Sequence, residues 1–201
     1  LDAGGDANRA YVILPEGVEW AWCVDPSFGA PSIDSALRSE GRVLSGIFLT
    51  HGHRDHTAGV APLMERHGCP VWCHPRDAQG IPGARPLEVE GPFPGTVDAE
   101  VLFTPGHTPG SVCYRVGTNL FTGDTLFVDW VGRADFPGGD PVALFGSLGR
   151  LRTLPGHLRI LPGHDYGAVP SRTLAEEVEK NRFLACTDYN AFLRLLPELA
   201  E

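Results

Sequence analysis

The segment Thr50-His51-Gly52-His53-Arg54-Asp55-His56 constrains this 201-residue chain more than any other stretch. It holds three of the chain's eight histidines. A packed apolar interior does not tolerate neighbouring imidazoles and a carboxylate without partners, so the fold must present this segment at a cleft. Imidazole with carboxylate is a donor set suited to Zn²⁺, Fe²⁺ or Mn²⁺. The residues just before it, Val43-Leu44-Ser45-Gly46-Ile47-Phe48-Leu49, read as a buried strand running directly into Thr50-His51. A turn at a strand's carboxyl end can aim several side chains into one cleft while the strand fixes where they start. Alternation lets His51 and His53 point one way, with Asp55 and His56 available to a second position. One ion rarely takes four ligands from one short loop plus others. The surplus points to two adjacent ions, about 3.5–4 Å apart in sites of that kind.

Three more turns carry candidate ligands. His107 lies in Thr104-Pro105-Gly106-His107-Thr108-Pro109-Gly110-Ser111, Asp124 in Thr122-Gly123-Asp124, and His164 in Pro162-Gly163-His164-Asp165. Each follows a predicted strand and is flanked by Gly or Pro that would hold a tight turn. Taken singly, Asp124 reads as an Asx-turn residue and His164 as a solvated loop histidine. With the 51–56 cluster, four strand ends presenting His or Asp predict one converging site. Two further side chains are candidates for binding substrate: Arg133, against the reading of a surface arginine, and Tyr166, against packing on a sheet edge. Cys69, Cys73 and His74 resemble metal-site spacing superficially, but Cys73 falls in a strand-like run and the pair is read as buried thiols.

Away from these turns, the patterning predicts strands over 11–14, 20–24, 43–49, 71–73, 100–103, 111–116, 120–121 and 159–161. Helices are predicted over 32–39, 57–67, 141–154, 171–184 and 188–199. Strands and helices intermix from end to end, which indicates an α/β class with one continuous core: a single domain over 1–201, with a helical C-terminal segment from about 170. No apolar run approaches the ~20 residues of a bilayer span, so no membrane association is expected. A formal charge of −9 argues against a nucleic-acid partner, which would need clustered Lys and Arg. An odd set of five cysteines, with no basic-then-apolar leader in Leu1-Asp2-Ala3-Gly4-Gly5, predicts reduced thiols and a cytoplasmic location. A homo-oligomeric state is left open.

With all four turns assembled, the chain resembles the metallo-β-lactamase superfamily, whose hallmark H-x-H-x-D-H stands here as His51-Gly-His53-Arg-Asp55-His56. The likeness runs from Asn8-Arg9-Ala10-Tyr11-Val12 through Asp25-Pro26 to the region of Asn181. The resemblance implies a four-layer αββα sandwich. It implies that His51, His53 and His107 bind one metal, that Asp55, His56 and His164 bind a second, and that Asp124 bridges them. One departure is Asp25-Pro26-Ser27, where the family commonly has Asp-Pro-Gly. Within the superfamily the chain is similar to glyoxalase II-like hydrolases and persulfide dioxygenases, through Thr122-Gly123-Asp124-Thr125-Leu126-Phe127, Gly132-Arg133-Ala134-Asp135-Phe136 and Gly163-His164-Asp165-Tyr166. Glyoxalase II enzymes add a C-terminal helical domain that is expected to be shortened or absent here.

That branch implies hydrolysis of a small thioester, a glutathione or other thiol conjugate, at a binuclear centre of two divalent ions, zinc foremost, with Asp55 orienting the attacking hydroxide. The alternative it implies is a persulfide dioxygenase using one Fe²⁺ on His51, His107 and Asp124. A nuclease of the same superfamily is disfavoured by the acidic charge and the lack of room for an inserted domain. A purely structural zinc site would close with four ligands and is disfavoured too.

Overall fold

The computed structural model describes residues 1–92 and 99–197 and divides the chain into two compact units, Leu1–Leu87 and Glu88–Glu201. Each unit is built on one five-stranded sheet with helices, so the mixed α/β class with two sheets is as predicted.

In the first unit the sheet order is β1 (Tyr11–Ile13), β2 (Trp20–Val24), β3 (Val43–Phe48), β4 (Val71–Cys73) and β5 (Ala84–Pro86). β1 runs antiparallel to β2, and the other neighbours are parallel. Helix α1 (Ala30–Ser39) connects β2 to β3, with Pro31 in its first turn and Gly41 just past its end at φ +61°. That placement is what the ring's fixed φ and glycine's freedom favour. Alternate strand residues Ala21, Cys23 and Ile47 turn toward Ile33 and Leu37 of α1 and toward Val60 and Leu63. The opposite face carries Trp22, Phe48 and Trp72, with the Phe48 and Trp72 rings stacked at 4.7 Å. Gly46 makes room for them: a Cβ there would lie 2.7 Å from the Trp72 ring.

The helix predicted over 57–67 is two helices, α2 (Arg54–Thr57) and α3 (Val60–His67). The break falls at Gly59, which passes so close to the preceding loop that a Cβ would sit 2.8 Å from the Ser27 carbonyl. Because α2 starts at Arg54, Asp55 and His56 lie on a helical turn rather than in the loop. α3 ends as predicted, on Gly68 at φ +63°, whose amide donates to Met64 O.

The second unit orders its strands β10 (Arg159–Pro162), β9 (Asn119–Gly123), β8 (Val112–Val116), β7 (Ala99–Phe103) and β6 (Gly91–Pro92). Only β9 and β10 pair parallel, joined through α4 (Pro141–Leu151), which Asp140 caps by accepting from Val142 N and Ala143 N. Leu144, Leu148 and Leu151 of α4 pack with Leu158, Ile160, Phe183, Leu184 and Phe192. The helix predicted over 171–184 is broken at Asn181 into α5 (Leu174–Lys180) and α6 (Arg182–Ala185). The Asn181 side chain accepts from Phe183 N and Leu184 N, the alternative to helix continuation that a short amide offers. α7 (Tyr189–Leu195) follows, and residues 198–201 of the predicted C-terminal segment lie outside the described residues. The short strands β5 and β6 were not predicted: two or three residues, two of them proline, carry no alternation. Among the described residues, no helix is long and apolar enough to cross a membrane.

Candidate metal centre

β2 and β3 are parallel neighbours, so their carboxyl ends lie side by side, Val24 opposite Phe48. Asp25 follows one and Thr50-His51 the other. The buried Asp25 carboxylate accepts from Thr50 N at 2.8 Å and from Thr50 Oγ1 at 2.6 Å, and it lies 3.0 Å from His56 Nδ1. An ionised carboxylate only accepts, so the Asp25 contact places the His56 proton on Nδ1 and leaves the Nε2 lone pair outward. The Thr50 hydroxyl, having spent its proton on Asp25, accepts from His51 Nδ1 at 3.1 Å and fixes that ring in the same tautomer. His51 Nε2 faces His53 Nδ1 at 3.1 Å, and Asp55 Oδ2 lies 3.5 Å from His56 Nε2. Asp25, His51 and His56 bring nitrogen and oxygen donors within 4.8 Å of one another. Asp25 takes φ +45° and Ser27, standing where the family pattern has Gly, takes φ +49°. Held left-handed, the loop lets Ser27 N donate to His56 O at 2.9 Å. Gly52 donates to Asp77 Oδ2, and a Cβ on it would lie 2.3 Å from the Asp77 carbonyl.

The second unit repeats the arrangement with β7, β9 and β10. Asp124 follows β9 and His164 follows β10, its parallel neighbour, with Gly163 N donating to Gly123 O. His107 follows β7 in a turn closed by Thr108 and Ser111 hydroxyls, and Ser147 Oγ donates to Pro105 O. His107, Asp124 and His164 are all buried. His107 Nε2 and His164 Nε2 each lie 3.4 Å from Asp124 Oδ2. His107 Nδ1 donates to the Arg133 carbonyl at 2.8 Å, again leaving Nε2 as the donor atom. Gly132 makes this possible, since a Cβ there would fall 1.7 Å from Asp124 O and 3.0 Å from His107 Nδ1.

These observations test whether the residues fit a divalent cation. Two ligands on a tetrahedral zinc, at 2.0–2.1 Å each, are about 3.3 Å apart. The four donor pairs above stand 3.1–3.5 Å apart. The ring protons of His51, His56 and His107 are turned away onto Thr50, Asp25 and the Arg133 carbonyl. For His56 with Asp55 and for His107 with Asp124, a ring lone pair then faces a carboxylate oxygen at that spacing, which fits a cation.

The secondary candidates fall as follows. Arg133 is half exposed and its guanidinium pairs with Asp135 through two bonds of 2.9 Å, which raises the arginine and lowers the carboxyl. Its carbonyl, rather than its charge, touches a candidate ligand. Tyr166 stacks on His164 at 4.8 Å, meets Phe127 edge-on and remains 41% exposed. Cys69 and Cys73 are buried, and burial pushes the Cys73 thiol up to about 12, so these are neutral packed thiols. His67, at the end of α3, contacts Asp34 at 2.7 Å. Asp25 and Asn8 were not singled out as site residues. The signals for Asp25 were its place directly after a predicted strand and the Asp25-Pro26 of the family likeness, neither of which gives it a role.

The sequence profile of the metallo-beta-lactamase superfamily matches residues 1–164. The chain is 39% identical to a hydroxyacylglutathione hydrolase of Alkalilimnicola ehrlichii over 176 residues, 86% of this chain and 66% of that one. It is 30% identical to a protein named "Probable polyketide biosynthesis zinc-dependent hydrolase BaeB" of Bacillus velezensis, over 87% of this chain and 80% of that one. Among solved structures, ETHE1 from Myxococcus xanthus superposes with a TM-score of 0.88 at 31% identity, covering 98% of this chain and 88% of that one. The chain spans 64–66% of the length of the first hydroxyacylglutathione hydrolases it matches.

Proposed function

The chain belongs to the metallo-beta-lactamase superfamily, and from that premise we propose that it is a metal-dependent hydrolase of small thioesters, with a glutathione thioester as its substrate class. The observation that carries this is the donor set: imidazole and carboxylate atoms 3.1–3.5 Å apart, with the far ring nitrogens of His51, His56 and His107 held by Thr50, Asp25 and the Arg133 carbonyl. The similarity to hydroxyacylglutathione hydrolases supports this reaction over others of the superfamily.

We assign His51, His53, Asp55, His56, His107, Asp124 and His164 as ligands of two divalent ions, in the roles the sequence resemblance implies, with zinc as the metal named for BaeB. When bound, such ions supply Lewis acidity, bringing the pKa of water near 7 and polarising a carbonyl. The remaining work belongs to the chain. Asp55 accepts a hydrogen bond from the attacking water and aims its lone pair at the thioester carbonyl. Asp25 and the Arg133 carbonyl keep His56 and His107 in the tautomer that binds a cation. Tyr166, stacked on His164 and partly exposed, offers an apolar face with a hydroxyl edge to the substrate.

The test is elemental analysis of protein purified without added metal, together with thiol release from S-lactoylglutathione. Two equivalents of zinc, with activity lost on chelation and restored by zinc, are expected. Full turnover by rigorously demetallated protein would refute the proposal. Stoichiometric iron with oxygen uptake on glutathione persulfide would replace it by the dioxygenase alternative.

A further inference from the structure

Asn8 is fully buried, yet it belongs to a short loop near the start of the chain, between two residues of the isolated Asp2–Arg9 bridge. The loop is tightly wound: Ala3 N donates to Asn8 O and Asn8 N to Gly4 O, both at 2.9 Å. Gly4, Gly5 and Ala7 all take positive φ, and for Ala7, at +54°, that is a conformation an L side chain rarely adopts. A Cβ on Gly5 would lie 2.3 Å from Asn8 Oδ1. The backbone is bent, at a steric cost, around one amide.

That amide has one workable orientation. Its Oδ1 accepts from Asp6 N at 3.1 Å, and its Nδ2 donates to Asp55 Oδ2 at 3.0 Å and to Asp55 O at 3.4 Å. Turned over, the amide would set oxygen against carboxylate and N–H against N–H. Both amide ends are therefore used, and the donor end is spent entirely on Asp55, 47 residues away in sequence. The Asp55 side chain is 39% exposed, so nothing like the burial of the neighbouring histidines confines it. Its Oδ2 is the oxygen 3.5 Å from His56 Nε2.

We propose that Asn8 is a positioning residue for Asp55: it clamps the carboxylate and the helix turn that carries it, so that Oδ2 is presented beside His56 Nε2 in one rotamer. The proposal deepens the reading above, since it takes Asp55 as a metal ligand. The loop of residues 2–9 is then part of the metal-binding apparatus.

Asn8→Asp is the informative variant. It keeps the size of the side chain and the acceptor for Asp6 N, and it replaces the donor to Asp55 with an acceptor. Asn8→Ala removes both ends. Zinc affinity by chelator competition and the visible spectrum of the cobalt-loaded protein are compared with wild type, alongside melting of the metal-free forms. The expected result is that Asn8→Asp, which sets a second carboxylate against Asp55 in a buried place, melts below wild type without metal, and that its folded form binds one zinc equivalent about 10–100-fold more weakly, the usual cost of losing a partner to a ligand. Its cobalt spectrum should change as well. Wild-type affinity and spectrum in Asn8→Asp would overturn the proposal. So would a loss in Asn8→Ala that Asn8→Asp does not share, because that pattern is loop closure alone. The readout is metal affinity, so a wild-type protein that binds zinc but cleaves no thioester would refute the reaction class and not the role of Asn8.

Discussion

Replacing Asp25 by Asn exchanges one carboxylate oxygen for an amide nitrogen without changing shape, and the consequences can be followed proton by proton. One oxygen takes the Thr50 amide at 2.8 Å; the other takes the Thr50 hydroxyl at 2.6 Å and faces His56 Nδ1 at 3.0 Å. Asn keeps an acceptor at only one of the two oxygen positions, and because the Thr50 amide cannot move its proton, the oxygen stays opposite that amide. With its oxygen on the Thr50 amide, its NH₂ meets two donors. His56 relieves the clash by moving its proton from Nδ1 to Nε2. The Thr50 hydroxyl turns to accept, so its own proton swings to His51 Nδ1, which shifts the second ring as well. Each shift puts a proton on the nitrogen that would bind metal. The cost for each ion is about 10–100-fold in affinity, or roughly 1.4–2.7 kcal/mol. Metal-free stability falls less specifically. Losing one hydrogen bond to a charged acceptor costs about 1.5–3 kcal/mol, which at about 2–4 °C per kcal/mol lowers the melting temperature by about 3–12 °C. Chelator competition measures the first quantity and melting in excess chelator the second. Both zinc equivalents held at wild-type affinity in Asp25→Asn would refute the tautomer argument, whatever happened to the melting temperature.

Other perturbations reach the same framework from different sides. Gly132→Ala forces a methyl into the 1.7 Å gap above the Asp124 carbonyl; a loss near ~3 kcal/mol, with weaker zinc binding, is expected from thermal melting and metal titration. In the second unit, burial raises the Asp129 carboxyl, but hydrogen bonds from the Arg172 guanidinium and the Ala168 amide outweigh it and hold the group below its ordinary value of 3.8. The stability from that shift is present above pH 3.8 and is lost as pH falls through the lower folded value. Asp129→Asn should therefore flatten the stability curve of wild type below about pH 4 in urea melts taken at a series of pH values. Identical acid limbs for the two proteins would show that the pair contributes nothing.

The elements that were legible in the sequence are those whose cause is local. β3 announces itself by a run of apolar residues ending at a polar turn, and α1 by Pro31 and Gly41. What failed was continuity. Between residues 57 and 67 the sequence offers Gly59 and Pro62, either of which a helix can carry near its start, and that the break falls at Gly59 is set by the distant Ser27 carbonyl; nor does Asn181 signal that its side chain will cap one helix while ending another. β5 and β6 are too short to show a period, and they exist because a neighbouring strand offers its edge.

The candidate ligands divide along the same line. His51, His53, Asp55 and His56 share one short stretch, and His107, Asp124 and His164 each follow a Gly past a strand end, so residue type and local pattern suffice to find them. The groups that orient them come from elsewhere. Asp25 reaches His56 across 31 residues and Asn8 reaches Asp55 across 47, and the segments that hold them, though part of the family likeness, say nothing of which ligand each will touch. A donor atom must be one of few residue types, whereas its orienting partner need only be some acceptor or donor at the right place. A carboxylate serves His56, a backbone carbonyl serves His107, and a hydroxyl serves His51. Three different groups meeting one requirement leave no common signature in sequence. The second layer of such a centre is therefore found by asking where each ring proton goes.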